Sequence, residues 1–250
     1  MGTVGVEAFE SVSSWRQPTP HPASAARSDL IDAVARRIIS IRPERIRVIV
    51  DGFTASGKTS FAHELAAAVR QLGRPTMRAS FDDFKKPWRD SREKGYDRTS
   101  GEGYYRNSPD FESARELLLK PAGRDGSGTV VLCAHDPLTG EDRRDTVVDV
   151  PDDAVLIVDS VFGMRPEYDE FWDFRIWVDV PHELAVARGI ERDTLLEGRD
   201  EAERLHRDRY RIGELIYVSE VNPTSRADLV IDNADYANPV ARADSGTPRS

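Results

Sequence analysis

The sequence predicts an α/β fold, a parallel sheet flanked by helices on both faces with a lid helix region, on three observations. Short β-branched runs recur along the chain, stretches with helical spacing separate them, and a glycine-containing loop joins the first run to the helix behind it. With 250 residues, 39% of them hydrophobic, the chain can bury a core in one large domain or two small ones.

Leu30, Ile31, Val34, Ile38 and Ile41 form an apolar stripe on one helical face, closed by Pro43. Residues 46–50, Ile-Arg-Val-Ile-Val, form a strand that passes into Asp51 and the glycine loop. Ala62, Leu65, Val69 and Leu72 return to helical spacing, and Gly73 stops that helix. A second strand is expected at 76–81. Residues 82–110 are polar, aromatic and weakly periodic, the character of an insertion that covers a substrate. The runs at 130–134, 154–158 and 174–180 read as buried parallel strands, and 229–231 supplies another. Residues 182–199 form a charged helix and 201–217 a second, ending before Asn222-Pro223. The expected organisation is a flexible Ser/Pro-rich leader at 1–28, one compact domain at 29–236 and a flexible tail at 237–250.

Thirty-five Lys and Arg against 44 Asp and Glu give a net charge of −9, which argues against a nucleic-acid partner and leaves small phosphates open. No run approaches the ~20 apolar residues of a membrane span, and no secretion signal precedes residue 29. Cys133 is the single cysteine, so no intrachain disulfide forms. It lies in an apolar run and reads as a buried thiol in a cytoplasmic protein. The expected partner is a small-molecule substrate, with self-association into a homo-oligomer left open.

The strongest motif is Gly52-Phe53-Thr54-Ala55-Ser56-Gly57-Lys58-Thr59, a complete G-x-x-x-x-G-K-[ST] between an expected strand and an expected helix. Its glycines let main-chain N–H groups curl around a polyphosphate, Lys58 reaches the outer phosphates, and the Thr59 hydroxyl can ligate Mg²⁺. The helix that starts at Lys58 adds its positive end. The fold is therefore of the P-loop NTPase type, with ATP and Mg²⁺ as ligands and Gly52, Thr54, Ala55, Ser56, Gly57, Lys58, Thr59 and Ser60 around the phosphates. The loop alone does not separate kinases from hydrolases and switch proteins.

Phosphoryl transfer needs a base, a carboxylate near the metal and cations over the developing charge. Asp82 and Asp83 follow the second strand directly, at the carboxyl edge where ligands bind in open α/β sheets, and either can accept a proton from a hydroxyl. Asp159 ends the run 154–158, where phosphate-loop proteins carry an acidic residue toward the metal. Arg188 and Arg192 share a helix face, Arg199 follows Gly198, and the three can close over ATP. His135 and Asp136 follow another strand and can line an acceptor pocket. Tyr96, Tyr104, Tyr105 and Phe111 either stack a planar ring or anchor the insertion.

Over residues 45–239 this arrangement resembles the uridine kinase branch of the phosphoribulokinase/uridine kinase family. Residues 51–60 resemble its phosphate loop, Phe81-Asp82-Asp83-Phe84-Lys85 its Asp-x-Phe-Tyr segment, residues 188–193 with 198–200 its lid, and residues 223–231 its late Pro-Thr-x-x-x-Ala-Asp strand. The resemblance implies transfer of the γ-phosphoryl of ATP to the 5′-hydroxyl of uridine or cytidine. It makes Asp82 rather than Asp83 the catalytic carboxylate, with Lys58, Arg188 and Arg192 assisting. Asp82, Phe84, Tyr105, His135, Asp136 and Arg199 then meet the substrate, and Thr59 and Asp159 the metal. The chain departs from the family at Asn107-Ser108-Pro109, His135-Asp136 and Asp159-Ser160, where Asp-His-Pro, Tyr-Asp and Glu-Gly are usual. Other readings are a kinase for a pantothenate-, glycerate- or sugar-phosphate-like alcohol, or a nucleotide-binding regulatory ATPase.

Overall fold

A computed structural model describes residues 12–14 and 23–242. In chain order these form α1 (Ala25–Ile39), β1 (Ile46–Gly52), α2 (Lys58–Gln71), β2 (Thr76–Ser80), α3 (Trp88–Lys94), α4 (Gly101–Asn107) and α5 (Phe111–Ser113), which runs on as a π-helical turn to Leu119. There follow β3 (Thr129–Val131), β4 (Val147–Asp149), β5 (Val155–Ser160), β6 (Phe174–Asp179), α6 (His182–Glu197), α7 (Arg199–Arg204), α8 (Arg211–Val221), α9 (Pro223–Arg226), β7 (Leu229–Asp232) and β8 (Val240–Arg242).

Six strands make the main sheet in the order β2-β5-β1-β6-β7-β8. Its pairs are parallel except β7 with β8. Strand periodicity assigns the two faces. Val48 and Val50 pack with Ile31, Val34 and Ile38 of α1 and Phe61, Leu65 and Val69 of α2. Ile49, Leu156, Val158 and Trp177 pack on the opposite side with Phe162 and Tyr217. Each of these large aliphatic side chains stabilises the fold by about 1.5–3 kcal/mol through burial. The three-layer α/β architecture expected from the sequence is the one observed. No helix among the described residues is long and apolar enough to cross a membrane.

The structure redraws several boundaries. The first helix starts at Ala25, inside the stretch expected to be leader, because the Ser24 hydroxyl caps the Arg27 amide and the Arg27 side chain is fully buried. The rest of that leader, apart from residues 12–14 and 23–24, lies outside the described residues, as does 243–250 of the expected tail. Within the tail, β8 extends the sheet past residue 236. The run at 130–134 is not a strand of the parallel sheet: β3 pairs antiparallel with β4 in a separate two-stranded sheet. Burial on both sides gives such a run the same apolar composition in a hairpin as in a parallel sheet. Cys133, just beyond β3, is buried as expected. The helix expected at 201–217 is α7 and α8, joined through a π-helical turn at Leu205–Tyr210.

Candidate active site

The phosphate loop leaves the carboxyl end of β1 and enters α2. Gly52 is required there, since a Cβ would lie 2.6 Å from both Ser56 Oγ and the Val178 carbonyl. Ala55 at φ 60 and Gly57 at φ 91 take left-handed conformations, the kind of turn that lets main-chain N–H groups face an anion. The Ser56 hydroxyl is fully buried and makes no hydrogen bond. Lys58 is buried at the helix start and its ammonium donates to the Phe53 carbonyl at 3.2 Å. Burial pulls the Lys58 pKa down, while Asp82, Asp159 and Glu214 oppose that shift. A left-handed loop at a helix start, a buried lysine and an orphaned hydroxyl fit a polyphosphate. Ser60 lies in the first turn of α2.

Thr59 and Asp159 come together: Thr59 Oγ1 donates to Asp159 Oδ2 at 2.9 Å, and Ser80 Oγ reaches the same oxygen at 3.3 Å. The other carboxylate oxygen accepts from Arg78 Nη2 at 2.6 Å in a buried ion pair. Arg78 also donates to the Ile157 and Ala79 carbonyls, which fixes its fork between β2 and β5. This cluster of hard oxygens beside the loop fits Mg²⁺.

Asp82 and Asp83 separate cleanly. Asp82 lines a small cavity with Phe81, Phe84, Lys85, Tyr104, Pro109, Ser160, Val161, Phe162 and Tyr168. Its Oδ1 accepts from Lys85 Nζ at 2.6 Å. Burial alone would raise its pKa, but Lys85, then Lys58 and Arg192, hold it below the ordinary carboxylate value. Asp83 points away, into the protein. Burial lifts it to about 7 against a hydrogen bond from Ser13, with Asp82, Asp159 and Asp136 adding to the rise.

The other expected site residues divide. Phe84 lines the cavity, while Tyr105 is buried behind it against Phe162 and Tyr217, and its neighbour Tyr104 takes the lining position. His135 and Asp136 lie outside the lining: Asp136 organises a turn, accepting from the amides of Leu138 and Thr139 and from Ser14. Arg199 is exposed and pairs with Glu203. Arg188 donates to the carbonyls of Asn233 and Ala234. Arg192 forks onto Asp193 at 2.6 and 2.9 Å, and its charge acts on both Asp82 and Lys58. His206 holds the same Asp193 at 2.7 Å. Its ring fills the space above Gly189, where a Cβ would come within 2.1 Å of Cε1.

Sequence reasoning missed the residues that brace the loop. Glu214 Oε1 accepts from the Thr54 amide at 2.7 Å, and Oε2 lies 2.8 Å from His182 Nε2. On the other side Asn233 Nδ2 donates to the Ser56 carbonyl at 2.8 Å, and Arg27 Nη1 donates to Asn233 Oδ1 at 2.9 Å. Arg27 also pairs with Glu64 at 2.6 Å, 4.0 Å below the Tyr236 ring. The only local signals were a polar residue directly after a strand at Asn233 and a lone arginine in an alanine-rich helix start. Asp51, fully buried before the loop, accepts from the Tyr217 hydroxyl at 2.6 Å and from the Gly52 and Met164 amides. Burial raises it to about 7.

A phosphate loop on this sheet order, with a carboxylate-lined cavity among the described residues, is the architecture of the uridine kinase-like P-loop kinases. Among solved structures, a possible uridine kinase from Bacillus stearothermophilus superimposes with a TM-score of 0.62 at 25% identity, over 81% of this chain and 97% of that one. A candidate fructose transport system kinase from Silicibacter sp. matches at TM-score 0.63 and 20% identity, over 76% and 94%. D-glycerate 3-kinase from Cryptococcus neoformans matches at 0.55 and 13%, over 86% and 97%. The last two likenesses concern the fold. No family model matches the sequence, and no curated protein matches it.

Proposed function

We propose that the protein is a Mg²⁺-dependent ATP phosphotransferase that phosphorylates the 5′-hydroxyl of a pyrimidine nucleoside. The observation that carries this reading is the position of Asp82, which lines the aromatic cavity while its charge acts on Lys58 of the phosphate loop. Phe81, Phe84, Tyr104, Phe162 and Tyr168 give the cavity an aromatic lining suited to a planar base, and Asp82 offers a carboxylate to the hydroxyl of the attached sugar.

In this reading Asp82 takes the hydroxyl proton as the oxygen bonds to the γ-phosphorus and the bond to the β,γ-bridging oxygen breaks, releasing ADP. Its depressed pKa keeps it ionised and ready to accept. Lys58 and the loop amides hold the phosphates, and Arg192, oriented by Asp193, neutralises charge on the transferring group. Arg188 acts at a distance, tying α6 to the loop after β7. Thr59 and Asp159 hold the metal, which when bound screens the phosphate oxygens. The working unit spans residues 25–242, and ATP use with a single buried cysteine supports a cytoplasmic setting.

Lys85 favours a second reading. It places an ammonium in the cavity where the family resemblance has tyrosine, and a cation there suits a small alcohol bearing a carboxylate or phosphate. Incubation with Mg²⁺-ATP and single acceptors, with products identified by mass, separates the two. Phosphorylated uridine or cytidine supports the first, and failure of both beside a reactive anionic alcohol supports the second. ATP binding without acceptor-stimulated ADP release would instead indicate a regulatory ATPase.

A further inference from the structure

We propose that Glu214 is a resident anion of the phosphate loop, whose carboxylate occupies the Thr54 amide until the terminal phosphate of the nucleotide displaces it. This rests on the nucleotide-binding reading and adds a regulating group to that site. The loop is an anion receptor built from main-chain N–H groups, and one of its donors is already taken. Glu214 reaches it from α8, far along the chain, and its side chain is 2% exposed.

A second contact holds the carboxylate in place. His182, at the start of α6, lies 2.8 Å from Oε2, and its ring stacks on Phe53 with centroids 4.3 Å apart and planes 23° from parallel. Phe53 and Thr54, the second and third residues of the motif, are therefore clamped between α6 and α8. Lys58, the residue that in such loops reaches the β- and γ-phosphates, donates at 3.2 Å to the Phe53 carbonyl, the other end of the peptide whose amide Glu214 holds. The carboxylate thus stands at the outer-phosphate end. Two anions do not share one amide, and a buried carboxylate repels a terminal phosphate brought beside it. A diphosphate, lacking that group, does not meet Glu214. The pair accordingly sets the balance between triphosphate and diphosphate, weakening the first and leaving the second alone.

Calorimetry on the full chain with Mg²⁺, using ADP and the β,γ-imido analogue of ATP, tests this. Glu214→Gln keeps an oxygen for the Thr54 amide and removes the charge. It should bind the triphosphate analogue about tenfold more tightly, with ADP affinity within about twofold of wild type. An unchanged ratio of the two affinities overturns the proposal and leaves the nucleotide-binding reading standing. Binding of the analogue by the variant alone would make the carboxylate a complete block, in support. Binding by neither protein would bring down both readings. Independently of how the variant folds, the Thr54 amide resonance of the wild type should shift on saturation with the triphosphate analogue and stay in place with ADP. The same shift with both ligands overturns the displacement.

Discussion

Thr59 Oγ1 donates a 2.9 Å hydrogen bond to Asp159 Oδ2, joining the first turn of α2 to the end of β5. This contact sets two oxygens of the proposed metal site side by side before any ion arrives. Asp159→Asn keeps an acceptor for Thr59 but removes a charge that also neutralises Arg78. The Mg²⁺ concentration giving half-maximal activity should rise by about tenfold or more. A metal titration that overlays the wild type would assign Asp159 to the scaffold alone, and a parallel thermal melt separates the lost ion pair from the lost metal.

Asp82 and Lys58 should fail in different ways. Asp82→Asn is expected to lower kcat by about 10²–10⁴-fold while nucleotide affinity changes little, because the proposed role of the carboxylate is toward the acceptor. Lys58→Ala removes the cation proposed to meet the phosphates and should weaken nucleotide binding itself. Steady-state kinetics paired with calorimetry distinguishes the two, and full turnover in Asp82→Asn would take that residue out of the mechanism.

Arg27 is a structural keystone outside the motif. Its guanidinium is fully buried, forks onto Glu64 and holds Asn233 against the loop. Arg27→Ala strands the Glu64 carboxylate in the interior and should cost about 3–5 kcal/mol of stability in urea unfolding. A loss under about 1 kcal/mol would mean the ion pair is dispensable.

Asp83 makes stability depend on pH. An ordinary aspartate ionises near 3.8, whereas burial first, then neighbouring carboxylates, lift Asp83 to about 7. Between those values the unfolded chain loses a proton that the folded chain keeps, so this stabilisation is full below pH 3.8 and is lost as pH rises through 7. Asp51, also raised to about 7, adds a fall of the same sign. Asp83→Asn should therefore flatten part of the decline in melting temperature between pH 5 and pH 8. An identical slope in the variant would remove Asp83 as its source.

Gly189 gives access to the setting of Arg192. A methyl group there would collide with the His206 ring, which orients Asp193 and through it Arg192. Gly189→Ala should cost about 1–3 kcal/mol and reduce turnover more than nucleotide affinity. Equal activity would show that Arg192 finds its place without the histidine.

How much of this was legible follows from where each contact lies in the chain. The phosphate loop is contiguous, so its residues and its flanking strand and helix could be read together, and Asp82 and Asp159 could be placed because each lies at the carboxyl end of a strand. Glu214 meets Thr54 and Arg27 meets Asn233 only after the chain has folded back across most of its length, and no local pattern marks such pairs. The start of α1 was hidden because Ala25, Ala26, Arg27 and Ser28 carry no apolar stripe, and their order comes from the buried Arg27 contacts. The acceptor side suffered from neighbours that look alike: of the adjacent Tyr104 and Tyr105, only the fold decides which faces the cavity.

Cys133 lies buried just beyond β3, and that burial, with Asp83 and Asp136 nearby, pushes its thiol up to about 12. Alkylating reagents attack exposed thiolates, so they should pass over the native molecule and mark it only when this corner comes apart. With no second sulfhydryl to confuse the signal, the chain carries its own clock for local opening, readable as the rate at which a maleimide is consumed.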